Sequence, residues 1–243
     1  MIYKTRKGPL SAGEAIGILL LEPSVPFIPG DVANASTYAF PVRFQKVTGF
    51  SVRRALGRDP AVYADLRQAA GDLVQQGVRA VTGDCGFMGI HQKKLARELG
   101  VPVFLSSLLQ ISFISFIIGE NAKVGIVTAD SKSLSAELLA AVGVSDPTSV
   151  VIAGLEDCPQ FYRFAIEETG ALDAAAVEQE VVAAAHNLVA DNPQIRALLL
   201  EGSLLPPYSA AVQAAVNLPV FDYITMINFV FEAVVQQQYR GFI

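Results

Sequence analysis

The chain has 243 residues, of which 52% are hydrophobic and 17% charged, and a formal net charge of −5. That acidic balance, with no run of Lys or Arg, excludes the clustered basic face that nucleic acid requires. Two cysteines and two histidines without ligand spacing give neither a disulfide framework nor a metal signature, so no metal is expected and a reducing cytoplasm is the default.

The length suits one large domain or two of about 110 to 120 residues. A mean hydropathy of +0.41 leaves enough apolar material for two cores and a homo-oligomer interface besides. The basic N-terminal stretch is followed by Glu14 and has no small-residue cleavage site, so no signal peptide is expected.

In chain order, the apolar run Glu14 to Glu22 predicts a parallel strand covered on both faces. Pro23 to Phe40 carries P-G-D-V-A-N-A-S-T-Y and predicts a long loop at that strand's C-terminal end. Within it, Asn34 and Thr37 either reach a substrate or serve as turn residues. Asp59 as N-cap, Pro60 at the first helical position and Gly77 as stop bound a helix. A strand from Val78 ends at Gly83-Asp84-Cys85-Gly86, and a helix from about Met88 to Leu99 is ended by Gly100. A strand over Val101 to Leu105 then leads into a helix over Leu108 to Ile118. The 18 uncharged residues from Val101 to Ile118 meet the lower limit for a membrane span. Pro102, four serines and Gln110 favour a buried strand running into a buried helix instead, so no membrane partner is expected.

The second half opens with A-K-V-G-I-V-T-A-D, in which Gly125-Ile126 echoes Gly17-Ile18. Ser131 predicts the cap of a helix running to Val142, ended by Gly143. Further elements are a strand over Ser149 to Ala153, a helix over Pro159 to Glu168 and an alanine-rich helix from Asp173 to Asp191. A strand over Ile195 to Leu200, a helix over Pro207 to Val216, a strand over Leu218 to Phe221 and a terminal helix complete the set. Alternating strands and helices without hairpin turns predict α/β architecture with a parallel sheet in each half. Right-handed crossovers place the strand C-termini on the ligand-binding edge.

The two halves repeat one another. Arg79 and Arg196 are 117 positions apart, as are Pro102 and Pro219. In that register Asp84 matches Glu201, Cys85 falls opposite Gly202, and Gly86 matches Ser203. The expected division is residues 1–120 plus 222–243 for one unit, with the C-terminal helix returning to it, and 121–221 for the other.

Three stretches carry a resemblance: Pro29 to Val42, G-D-C-G-F-M from Gly83 to Met88, and L-E-G-S-L-L-P-P-Y from Leu200 to Tyr208. With the duplication, they make the chain similar to the aspartate/glutamate/hydantoin racemase superfamily, which also holds arylmalonate decarboxylase and maleate isomerase. The resemblance implies two pseudo-symmetric domains with a cleft between them and no cofactor. It further implies two facing thiols that move a proton at the carbon alpha to a carboxylate. Cys85 matches the first family thiol. Gly202 stands where the second is found, and Ser203 where a neighbouring threonine is found.

Cys85 is therefore the expected catalytic group, acting on a small carboxylate substrate. Gly86, Phe87, Thr128, Gly202, Ser203 and Asn34 are the expected substrate-binding residues. A helix N-terminus after Cys85 would favour thiolate over thiol, whereas the alternative makes Cys85 a small buried hydrophobe. With one thiol, proton delivery is one-sided. The expectation is a racemase-like enzyme, with a decarboxylase of a malonate-type diacid or a silent carboxylate-binding protein as alternatives. Asp84 and Glu201 are expected to accept from N–H groups of the helices that follow them; the alternative makes Glu201 a substitute base. His91 and His186 are read as surface residues and Cys158 as a packing residue; the alternative for His91 is a nucleophilic pair with Cys85.

Overall fold

A computed structural model describes residues 2, 4, 7–57 and 59–242. Positions 1, 3, 5, 6, 58 and 243 lie outside the described residues, and with them part of the basic N-terminal stretch and both ends of the first expected unit.

Among the described residues, two four-stranded parallel sheets follow one another along the chain. The first comprises β1 (Ile16–Leu20), β2 (Val42–Lys46), β3 (Ala80–Gly83) and β4 (Val103–Phe104), in the order β2-β1-β3-β4. The second comprises β5 (Lys123–Thr128), β6 (Val150–Gly154), β7 (Ile195–Leu200) and β8 (Val220–Phe221), in the order β6-β5-β7-β8. The sequence register of the repeat is also the register of the sheets. Val81 pairs with Val103 and Thr82 with Phe104, while Leu198 pairs with Val220 and Leu199 with Phe221. Each of these residues lies 117 positions from its counterpart.

Gly17 and Gly125 occupy matching places on the central strands, paired with Val81 and Leu198. A Cβ on Gly17 would lie 2.9 Å from Leu73 Cδ1, and one on Gly125 would lie 2.5 Å from Leu198 Cδ2 and 3.2 Å from Leu188 Cδ2. Leu73 belongs to α2 (Tyr63–Gln76) and Leu188 to α7 (Ala174–Asp191). Each glycine thus leaves room for a leucine of the helix that covers its sheet.

The other helices are α1 (Val52–Leu56), α3 (Gln92–Glu98), α4 (Ile111–Ile118), α5 (Ala136–Ala141), α6 (Pro159–Ala165), α8 (Ser209–Val216) and α9 (Tyr223–Val234). Helix α9 does not lie on the sheet it follows. Its Tyr223, Met226 and Ile227 pack with Ile16, Ile18, Ala80 and Phe104 of the first sheet. Helix α4 makes the reciprocal move: Ile111 and Ile114 pack with Val124, Ile126, Ala197 and Leu199 of the second sheet. Each half thus ends in a helix that covers the other half's sheet. A boundary at residue 120 falls just after such an exchanged helix.

The differences from the sequence expectation are local. Strand β2 and helix α1 were not anticipated. β2 is an edge strand of mixed composition, V-R-F-Q-K, half-buried over four residues and exposed at Lys46. Its polar side chains serve the edge: Arg43 pairs with Glu14 at 2.9 Å and Lys46 with Glu22 at 2.8 Å. Ser131 does not cap a helix; its hydroxyl and N–H bond Glu156, and Ser135 caps the shorter α5. No helix among the described residues is long and apolar enough to cross a membrane.

Candidate active site

The C-terminal ends of β3 and β7 bring Cys85 and Gly202 to one cleft. Its cavity volume is about 70 Å³. Cys85, Gly86 and Phe87 line it from the first half, and Glu201, Gly202, Ser203 and Leu205 from the second. Apolar walls come from Leu21, Phe27, Leu56, Phe161 and Ile166. None of the described lining residues is Lys or Arg.

The long loop after β1 closes one side by reaching across to the second turn. Val32 N–H donates to Ser203 O at 3.3 Å. Gly30, at φ 101°, lies so close to Pro207 that a Cβ there would be 2.9 Å from Pro207 Cα. This contact explains why the P-G-D-V and L-L-P-P-Y stretches occur together: one is seated on the other. Asp31, buried in the loop, accepts from Ala33 N–H at 2.6 Å and is pushed up to about 7 by desolvation.

Each half places an acid immediately before its turn, and neither acid caps the segment that follows. Asp84, almost fully buried, accepts the N–H of Leu21 through both oxygens, at 3.0 and 3.2 Å. It thereby ties the first turn to the end of β1, and burial pushes it up to about 8. Glu201, only 1% exposed, accepts the Thr128 hydroxyl at 2.7 Å through Oε2. Its Oε1 is buried without a hydrogen-bond partner among the described residues. A Cβ on Gly86 would fall 1.5 Å from that oxygen, so the carboxyl rests directly against the residue that follows the thiol. Desolvation pushes Glu201 up to about 7. The expectation that both acids accept N–H groups of the following helices is thus corrected. In a turn this tightly buried, the donors that reach the carboxyls are the Leu21 N–H, just after β1, and the Thr128 hydroxyl, at the end of β5.

Cys85 is half-buried at the cleft floor. The segment after it is a six-residue 3-10 helix, Gly86–His91, rather than the start of an α-helix. N–H groups of Phe87 and Met88 face the sulfur and favour its charge, but burial, followed by the Glu201 and Asp84 carboxyls, pushes the thiol well up. The resting group is therefore a thiol, contrary to the thiolate expected from a helix dipole. Desolvation and two acids outweigh two N–H groups.

Of the residues anticipated from sequence, Cys85, Gly86, Phe87, Gly202 and Ser203 meet in the cleft. Thr128 is fully buried behind it and holds Glu201. Asn34 is not among the lining residues: its amide N donates to Phe27 O, and its amide O accepts from Ser36 N–H and hydroxyl. It closes a turn, and Thr37 does the same between Gly30 N–H and Asp31 O. His91 packs against the Tyr63 ring, His186 is exposed, and Cys158 packs at the start of α6. Sequence reasoning missed the wall residues of α1 and α6, because short segments of ordinary composition carry no signal for what they face.

Paired parallel sheets with a thiol at the turn between them define a racemase-type two-domain α/β fold. Solved structures share it: allantoin racemase from Pseudomonas fluorescens (TM-score 0.62, 16% identity, 91% of this chain and 90% of that one) and unliganded arylmalonate decarboxylase (0.57, 17%, 93% and 95%). Glutamate racemase from Bacillus anthracis is a third (0.59, 13%, 92% and 82%). No protein-family model matches the chain. Among curated proteins it is 31% identical over 230 residues to dimethylsulfoniopropionate lyase of Durusdinium sp. clade D, covering 92% of this chain and 76% of that protein. It is 33% identical over 233 residues to dimethylsulfoniopropionate lyase 5 of Emiliania huxleyi (strain CCMP1516), covering 91% of this chain but only 46% of that protein. The chain shares the fold of these racemases and this decarboxylase, and it belongs to the family of the lyase-named proteins.

Proposed function

We propose that the chain is a cofactor-independent lyase that removes the proton alpha to a carboxylate and expels a leaving group from the beta carbon. Dimethylsulfoniopropionate is the proposed substrate. The observation that carries this reading is the single thiol, Cys85, facing Gly202 across a cleft lined by acids and aromatic rings. Racemisation needs a proton donor on each face of the carbon, and Gly202 supplies none. Elimination needs one base. The α-hydrogen leaves as a proton, its electron pair forms the C=C bond, and the C–S pair departs with sulfur as neutral dimethyl sulfide, leaving acrylate.

The surroundings suit a substrate bearing a positive charge. Phe27, Phe87 and Phe161 line the cleft, and aromatic rings attract onium groups. An adjoining groove shares Val52, Leu56, Ala129 and Ile166 with the cleft and adds Asp130, Glu156, Glu167 and Glu168, with Arg53 as its one described cation. The Ser203 hydroxyl and backbone N–H groups at the turns are left to bind the substrate carboxylate. The names of the relatives support elimination over the two-sided exchange expected from the superfamily.

Incubation with dimethylsulfoniopropionate in heavy water, followed by headspace gas chromatography and NMR, tests the reading. Dimethyl sulfide and acrylate in equal amounts are expected, abolished in Cys85→Ala. Release of CO₂ from an arylmalonate, with no dimethyl sulfide, would transfer the assignment to a decarboxylase. Deuterium exchange of amino or hydroxy acids without elimination would return it to a racemase.

A further inference from the structure

We propose that Glu201 is the proton-sharing partner of Cys85, acting on the thiol through its free oxygen beside Gly86. The proposal deepens the elimination reading and rests on it for the catalytic step, but the pairing itself is testable without a substrate.

The geometry carries it. Glu201 lines the same cleft as Cys85, and its Oε1 touches the backbone of the next residue, Gly86. One oxygen is anchored by Thr128 and the other has no hydrogen-bond partner, an arrangement that buried carboxyls rarely leave unused. The titratable groups around it are Cys85 and Asp84 of the first turn and Tyr223 of α9, with Asp31 beyond Asp84. No Lys or Arg among the described lining residues stabilises a thiolate. Two carboxyls bear on the thiol, Glu201 and Asp84; Asp84 has both oxygens on the Leu21 N–H, whereas Glu201 keeps Oε1 open to accept a proton.

The proton count closes. The Cys85 thiol proton moves to Glu201, the thiolate takes the substrate α-proton as the leaving group departs, and Glu201 returns its proton to solvent. Glu201 acts through Cys85 and is a positioning residue in this scheme. Its elevated proton affinity places the ionisation that makes it an acceptor near pH 7.

The test is the pH dependence of Cys85 alkylation by iodoacetamide, followed peptide by peptide by mass spectrometry so that Cys158 is scored separately. The wild-type rate is expected to rise in a step near pH 7 and again at high pH. Glu201→Gln should lose the neutral step and keep one titration, and Glu201→Asp should restore it. Thr128→Val keeps the carboxyl but loses its hydroxyl donor, and should move the step upward by about one pH unit. A uniform change in rate at all pH values, with the step retained in Glu201→Gln, would overturn the pairing. If Glu201→Gln fails to fold, an unmoved step in Thr128→Val overturns it. A step without any turnover of dimethylsulfoniopropionate would sustain the pair and sink the lyase assignment; turnover with an unaltered step in the variants would do the reverse.

Discussion

Gly86 has no side chain because Glu201 occupies the space one would need. An alanine there would press on a carboxyl held by Thr128 in a closed turn, and overpacking of that kind costs about 1–3 kcal/mol. We expect Gly86→Ala to lower the thermal midpoint and to abolish turnover, measured by calorimetry and headspace assay. Gly202 is the opposite case. A Cβ at Gly202 would meet only Leu205, at 3.5 Å, an ordinary contact. Gly202→Cys should fold normally and restore a second facing thiol. We expect it to raise α-hydrogen exchange in heavy water by about tenfold or more, within the range of a positioned acid–base group. No gain with Cys85 intact would contradict the facing geometry.

The buried acids also set the sign of the pH response. Burial raises Asp84 from 3.8 to about 8, and Asp31 and Glu201 to about 7. Between about pH 4 and 8 the folded chain therefore holds protons that the unfolded chain has released. Stability falls as pH climbs through that window, at up to about 1.4 kcal/mol per pH unit for each group. Denaturant midpoints at pH 5 should exceed those at pH 8, and Asp84→Asn should flatten the dependence. A steeper slope in that variant would be incompatible with a neutral buried Asp84.

At the scale of elements, the start of α9 is fixed by a capping box. Asp222 accepts the N–H of Thr225 at 2.8 Å, and the Thr225 hydroxyl accepts the N–H of Asp222 at 2.9 Å. Ser209 of α8 donates to the same Asp222 carboxyl at 2.6 Å, and Gln110 donates to the Asp222 carbonyl at 2.9 Å. Asp222→Ala should cost about 1–2 kcal/mol, read as a lower urea midpoint at an unchanged slope. This junction delivers Tyr223 to the core, where its hydroxyl donates to Leu105 O at 2.9 Å.

Element identity was legible wherever burial is symmetrical. β1, β5 and β7 are continuous apolar runs, and α2 and α7 lie between Asp caps and recognisable stops. Asp59 does cap the 3-10 turn leading into α2, Gly77 does end it at φ 104°, and Asp173 does cap α7. β2 escaped because an edge strand can satisfy its faces with Arg, Gln and Lys, which erases the apolar signal. Helix α1 escaped because five residues do not complete a periodic pattern. Entry into α2, α3, α4 and α8 through 3-10 turns likewise has no compositional mark.

Over the whole molecule, the exchange of α4 and α9 makes the halves interdependent. The first cluster of buried side chains runs without a break from Leu73 and Val81 through Ile111 and Ile114 to Val124 and Leu199. Unfolding should be a single transition, with far-UV circular dichroism and tyrosine fluorescence coinciding. Residues 121–221 expressed alone would leave the α4 side of Val124, Ile126, Ala197 and Leu199 bare, and should bind a hydrophobic dye such as ANS. A stably folded, dye-silent fragment would refute the interdependence. The same two helices expose Phe113, Phe116 and Phe229, the face we propose for the expected homo-oligomer.

The sequence by itself determined the repeat, the parallel α/β class and the meeting of Cys85 with Gly202. A constant offset of 117 residues carries strand register with it, and parallel strands deliver their C-terminal turns to one edge. Only the tertiary structure decided the charge state of the thiol, the placement of the Glu201 carboxyl against Gly86 and the withdrawal of Asn34 into its own turn. Those outcomes depend on desolvation and on which donors lie within about 3 Å, quantities set by neighbours distant in the chain.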